Sequence, residues 1–180
     1  MADLLRASTV VDDVLATHVA AIGPDLAGYR HHVYRVLNFA LALAPRGADS
    51  VEKLAVAAVF HDLGIWTAGT FDYLPPSIAL AASHLGATAR AAWVPELTAM
   101  IEAHHKVTPW RGRSDWLVEP FRRADWIDVT LGGRRFGLDR AFVTAVRRTW
   151  ADEGFHWRLL QLTAARWRRH PLSPLPMLRW

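Results

Sequence analysis

The chain contains no cysteine. Disulfides, thiolate metal sites and cysteine nucleophiles are thereby excluded, and the composition agrees with a reducing compartment. Any metal has to be held by His, Asp, Glu or water. Lysine is scarce as well, with only Lys53 and Lys106 among 21 basic residues. The arginines run from Arg6 to Arg179 and the formal charge is only +4, so the isoelectric point near 10.1 describes composition rather than a basic patch. Nucleic acid is therefore not an expected partner. No stretch reaches 18 consecutive apolar residues, so no membrane-spanning helix is expected. The opening "MADLLRASTVVDDVLATHVAAIG" is interrupted by Asp3, Arg6, Asp12 and Asp13 and does not read as a secretory signal. These absences lead to the expectation of a soluble, cytoplasmic protein.

What is present is apolar and helical in its spacing. With 180 residues and 52% hydrophobic content, one domain over 1–180 can bury a continuous core. No segment alternates apolar and polar residues for long, so the expected fold is an all-α bundle of seven to eight helices. The pattern predicts helices over about 4–21, 27–44, 50–62, 77–84, 95–105, 115–131, 138–151 and 154–169. Gly23-Pro24 and the Pro45-Arg46-Gly47 run stop the first two. Ser77 is the expected cap of the fourth. Before it, "GIWTAGTFDYLPPS" is a loop of a dozen or so residues, of the kind that covers a site. The tail "HPLSPLPMLRW" should be extended, with Leu175, Met177 and Trp180 packing back onto the helices.

Five segments offer ligand-type side chains, each on a different predicted helix or at its end: His32, His61-Asp62, His84, His104-His105, and Asp125 with Asp128. Helical bundles build metal sites in this way, from inward-facing His and carboxylate groups. Taken singly the residues are weak signals. A lone His32 or His84 is commonly a hydrogen-bonded core residue, Asp125 and Asp128 could solvate a face with Arg122 and Arg123, and neighbours such as His104 and His105 point in different directions on a helix. The His61-Asp62 pair is stronger, because a charged Asp at the end of the apolar run "AVAAVF" needs a partner. Nitrogen and oxygen donors without sulfur suit Mn, Fe, Co, Ni or Zn.

Taken together, "HVYRV", "AAVFHDLG", "IEAHH" and "RADWID" resemble the HD-domain superfamily of metal-dependent phosphohydrolases, whose pattern is H, HD, H, H and D on successive helices. The resemblance covers about 27–130, leaving the last helices and the Pro-rich tail, 137–180, outside it. It implies His32, His61, Asp62, His84, His104 and Asp125 as ligands, selecting Asp125 over Asp128 and His104 over His105, with His105 as a possible seventh. The intervals between these positions, 20 to 29 residues, each fit one helix and a loop. The longer version of the pattern implies two metal ions, with Asp62 between them, and makes Asp62 and His61 the catalytic pair.

The resemblance further implies hydrolysis of a small phosphorylated substrate, a phosphomonoester or phosphodiester of nucleotide type. Lys106, Arg111 and Arg122 are candidate phosphate contacts, and Trp66 and Tyr73 could enclose the rest of the substrate. One position departs from the family: Ile65 stands where several hydrolytic members carry Lys or Glu, so the proton donor is unassigned. Two other readings stand beside this one. A di-iron centre of the same ligand set could use dioxygen to cleave a C–P or C–C bond. A binding module would rest on basic, aromatic segments such as "RWRRHP".

Overall fold

The computed structural model of the chain describes residues 4–173 and 175–177. Among them there is no strand, and the helices are α1 (Thr9–Ile22), α2 (Leu26–Leu43), α3 (Ser50–Phe60), α4 (Gly64–Thr67), α5 (Leu74–Ala87), α6 (Val94–Ala103), α7 (Val118–Val129), α8 (Arg140–Thr149) and α9 (Phe155–Arg169). Apart from α4, a single turn, these are the eight helices that the apolar periodicity predicts. None is long and apolar enough to cross a membrane.

α2 forms the axis of the bundle. From His32 to Ala40 every residue is buried, and α1, α3, α7 and α8 all pack on it. Polar groups on such a helix must find partners. Asn38 does so by accepting the Leu5 N–H at 2.8 Å and donating to the Leu5 carbonyl at 3.0 Å. This pairing holds residues 4–8 outside the helix, so α1 starts at Thr9 rather than at Leu4, with Ser8 accepting the Val11 N–H as its cap. Gly28 on α2 allows close approach of α9, since a Cβ there would lie 3.0 Å from the Glu153 carbonyl and 3.3 Å from the Phe155 Cβ.

From Leu54 onward α3 is apolar on every face, and Leu54 to Phe60 are all 0–2% exposed. A helix of this kind belongs in the centre of a core, and its end carries His61 and Asp62 into the middle of the bundle. The following segment turns tightly. A Cβ on Gly64 would fall 2.5 Å from the Tyr73 carbonyl oxygen and 2.9 Å from the Ser77 hydroxyl, so only glycine lets α4 meet the start of α5. Ser77 is not the cap expected of it. Pro75 and Pro76 occupy the first turn of α5, and the Ser77 hydroxyl accepts the Gly64 N–H at 2.9 Å.

The buried apolar side chains form one continuous cluster that extends to Met177 in the tail, which is 4% exposed. Trp180 lies outside the described residues.

Candidate metal centre

Four parts of the fold meet around the end of α3. α2 supplies His32, the turn after α3 supplies His61 and Asp62, the turn after α6 supplies His104 and His105, and α7 supplies Asp125. His32 Nε2 and His61 Nε2 are 2.9 Å apart, and both face Asp62 Oδ2, at 3.5 and 3.4 Å. The other oxygen of Asp62, Oδ1, is 3.4 Å from His104 Nε2. Asp125 divides itself in the same manner: Oδ1 lies 3.9 Å from His32 Nε2 and 3.8 Å from His61 Nε2, and Oδ2 lies 3.6 Å from His105 Nδ1. The donors thus form two neighbouring groups, His32, His61 and Asp62 in one and Asp62, His104 and His105 in the other.

The hydrogen bonds around the rings fix which nitrogen is bare. The Nδ1–H of His32 is donated to Asp128 Oδ2 at 2.7 Å, that of His61 to the Ala58 carbonyl at 2.8 Å, and that of His104 to the Ile101 carbonyl at 2.6 Å. Each of those partners only accepts, so in the neutral rings the three Nε2 atoms carry the lone pairs, those of His32 and His61 facing each other and that of His104 facing Asp62. This is the outer-shell arrangement that orients metal-bound imidazoles. The Nε2 of His105 is instead 2.5 Å from the Tyr73 hydroxyl, which leaves Nδ1 facing Asp125.

Asp62 Oδ1, Asp125 Oδ1 and His104 Nε2 are buried with no hydrogen-bond partner. Orphaned acceptors in an interior are costly; Asp62 Oδ1 and His104 Nε2 face each other, and Asp125 Oδ1 faces the Nε2 atoms of His32 and His61. Bound cations would satisfy such atoms, so the residues fit a metal.

Charge balance points the same way. Burial lowers the His32 pKa, but the hydrogen bonds and charges of Asp128 and Asp62 overcome it and carry it up to about 9. His61, lowered chiefly by burial and further by His104 and His32 against the pull of Asp62, falls to about 3. Burial raises Asp125 to about 7 against the pull of His104 and His32. Asp62 resists its burial and is held well below the usual carboxylate range by His61, His104 and His32. The carboxylates therefore demand positive charge, which a proton on His32 supplies in part.

Behind this cluster lies a polar support. Arg35 donates to Asp128 through Nε at 2.5 Å and Nη2 at 2.9 Å, and its Nη1 donates to the Trp150 and Ala151 carbonyls. His156 bonds the Asp128 carbonyl at 3.1 Å and pairs with Asp152, so its role is structural. The resemblance discounts Asp128 and does not point to Arg35, yet a signal for both exists: His32 and Arg35, like Asp125 and Asp128, are three residues apart and share a helix face.

A cavity of about 270 Å³ opens onto the cluster through His32, Asp62, His105 and Asp125. Phe71 and Tyr73 line it from the loop before α5, Trp126 and Val129 from α7, Leu159, Leu160 and Thr163 from α9, and Leu175 and Met177 from the tail. A larger cleft of about 510 Å³ runs along α8 between arginines and contains none of these donors.

Several candidates are not brought here. His84 is partly exposed on α5 with its ring 5.3 Å from that of Phe60, and it joins neither donor group. His105 takes the place expected of it. Arg122 is 2% exposed and bound twice by Glu119, with a third bond to the Lys106 carbonyl, so it holds the fold together rather than a phosphate. Neither Lys106 nor the exposed Arg111 lines the cavity. Trp66 packs on Tyr29 at 4.5 Å and donates to Asp25, while Tyr73 does reach the cavity. His61 lies behind Asp62, 0% exposed, and does not line it either.

Comparison with protein-family models, curated proteins and solved structures finds no match to the chain.

Proposed function

We propose that the protein is a binuclear metal-dependent phosphohydrolase of the HD type, acting on a phosphoester. The observation that carries this reading is the division of Asp62, one oxygen toward His32 and His61 and the other toward His104. Asp125 repeats the division. Two carboxylates shared between two groups of imidazoles support a reading with two adjacent cation positions rather than one. His32, His61, Asp62 and Asp125 would hold the first ion, and Asp62, Asp125, His104 and His105 the second. Mn, Fe, Co, Ni and Zn suit this donor set.

The ions would supply Lewis acidity, providing hydroxide near neutral pH and offsetting the charge of the phosphoryl group. The chain's own residues do the rest. Asp128 and the Ala58 and Ile101 carbonyls hold three imidazoles in one tautomer. Water adds to phosphorus, the ester P–O bond breaks, and the departing oxygen takes a proton. The Tyr73 hydroxyl, held by His105 on the cavity wall, would deliver it, a role that Ile65, buried at 5% exposure, cannot fill.

The test is phosphate release from aryl phosphomonoesters and diesters by protein loaded with each of the five metals, with oxygen excluded. Metal-dependent release that disappears in Asp62→Ala and His104→Ala supports the proposal. No release with any of them overturns it. A second reading, a di-iron oxygenase, is favoured by the absence of any Lys or Arg among the described residues that line the cavity. Substrate-dependent oxygen consumption by the iron form alone would decide for it.

A further inference from the structure

We infer that the organic part of the substrate is a compact, uncharged apolar group, so that the substrate is the phosphoester of a small aliphatic or aromatic alcohol and not a nucleotide. This rests on the phosphohydrolase reading above. Hydrolysis would then consume one water and release phosphate and the alcohol, the alcohol oxygen gaining the proton.

The cavity walls beyond the ligands include Phe71, Trp126, Val129, Leu159, Leu160 and Met177. Two hydroxyls also reach the lining, and both are engaged: Tyr73 with His105, and Thr163 with the Leu159 carbonyl at 2.9 Å. A nucleobase bound here would leave its polar edge without partners, and a buried polar group without a hydrogen bond is strongly disfavoured. A ribose would meet the same difficulty.

Charge gives a second argument. Among the described residues, no Lys or Arg lines the cavity. Arg122 and Arg123 are both bound by Glu119, and Arg134 lies over the Trp126 ring at 5.2 Å without entering the lining. A diphosphate or triphosphate chain extending beyond the metal centre would find no guanidinium to receive it. One phosphoryl group can be accommodated by the cluster itself.

Size gives a third. About 270 Å³ falls below the roughly 300–1,000 Å³ of pockets that enclose drug-sized ligands. A short alkyl or single aromatic group fills such a space.

The experiment is calorimetric binding to the metal-loaded protein of methyl-, butyl- and hexylphosphonate, none of which can be hydrolysed, beside adenosine monophosphate and hexanol. Affinity should rise about fourfold per added methylene until the cavity is full. In Leu160→Asp, altered at a rim position that is 61% exposed and tolerates charge, metal content should be unchanged and the dependence on chain length flattened. A flat series in the wild-type protein, or adenosine monophosphate binding more tightly than hexylphosphonate, overturns the inference and leaves the hydrolase reading standing. Hexanol binding as tightly as hexylphosphonate overturns the hydrolase reading while upholding the apolar cavity.

Discussion

Asp128 accepts the Nδ1–H of His32 at 2.7 Å while its two oxygens also receive the Arg35 guanidinium, so a carboxylate that faces away from the metal centre decides how the first donor ring is turned. Asp128 itself is 0% exposed and held well below the usual carboxylate range, against its burial, by His32 and Arg35.

Asp128→Asn keeps the shape and removes the charge that supports the His32 ring. Metal affinity, measured by competition with a chelator, should fall by about 10- to 100-fold. Asp128→Ala should also destabilise the fold by about 3 to 5 kcal/mol, because Arg35 is left charged and buried without its carboxylate. Equal metal affinity in Asp128→Asn and the unaltered protein would show that the support is dispensable.

Metal content separates the donors from the bystander. His32→Ala and His104→Ala should each reduce the bound metal, measured by elemental analysis, whereas His84→Ala should leave it unchanged. Removing the metal with a chelator should lower the thermal midpoint, since a ligand at about a hundred times its Kd stabilises the native state by about 2.7 kcal/mol. Loss of metal in His84→Ala would contradict the two donor groups described above.

Gly64→Ala places a methyl group against the Tyr73 carbonyl and the Ser77 hydroxyl. Overpacking of this kind costs about 1 to 3 kcal/mol, which at this chain length lowers the melting temperature by several degrees. The backbone at Tyr73 has to give way, so the variant should lose metal affinity at His105 as well as stability. A melting temperature equal to that of the parent protein would show that α4 and α5 separate at no cost.

Glu119 gives the fold an acid-sensitive link. Burial pushes its pKa up, but Arg122, the Trp110 N–H and Arg123 outweigh this and bring it down from 4.5 to about 2. Because the folded value is the lower one, its stabilisation is complete above about pH 4.5 and is lost as the pH falls toward 2. Melting curves taken between pH 2 and 6 should lose this component in Glu119→Gln. An unchanged acid profile in that variant would remove Glu119 from the account.

The fold was legible because it rests on long apolar periodicities, and those survive in α2, α3 and α7 with little change. The boundaries that moved did so through single groups: Asn38 captures Leu5, and Pro75-Pro76 begin α5 ahead of Ser77. Five of the ligand candidates, His32, His61, Asp62, His104 and Asp125, converge. His84 does not, because the stripe of α5 that faces inward is Leu74, Ser77, Ala81 and Leu85, and position 84 lies about 100° round the helix from 85. His105 ranks below His104 in the sequence, as a possible ligand only, because neighbours on a helix diverge. That rule lapses here, since α6 ends at Ala103 and the two rings, beyond the last helical residue, come within 3.8 Å of each other. The candidate phosphate contacts that do not line the cavity have a different origin. Nothing in the local pattern around Arg122 distinguishes a guanidinium free to bind a ligand from one already held by Glu119 three residues before it.

The contact between α2 and α9 changes where the functional unit ends. Phe155 stacks on the His32 ring at 4.1 Å, admitted by the bare backbone of Gly28, and the same helix supplies one side of the cavity through Leu159 and Leu160. A fragment cut to the ligand-bearing stretch would therefore keep every donor and still expose the first imidazole to water. Dissection of this chain should treat α9 as inseparable from the donors it covers, even though it contributes none of them.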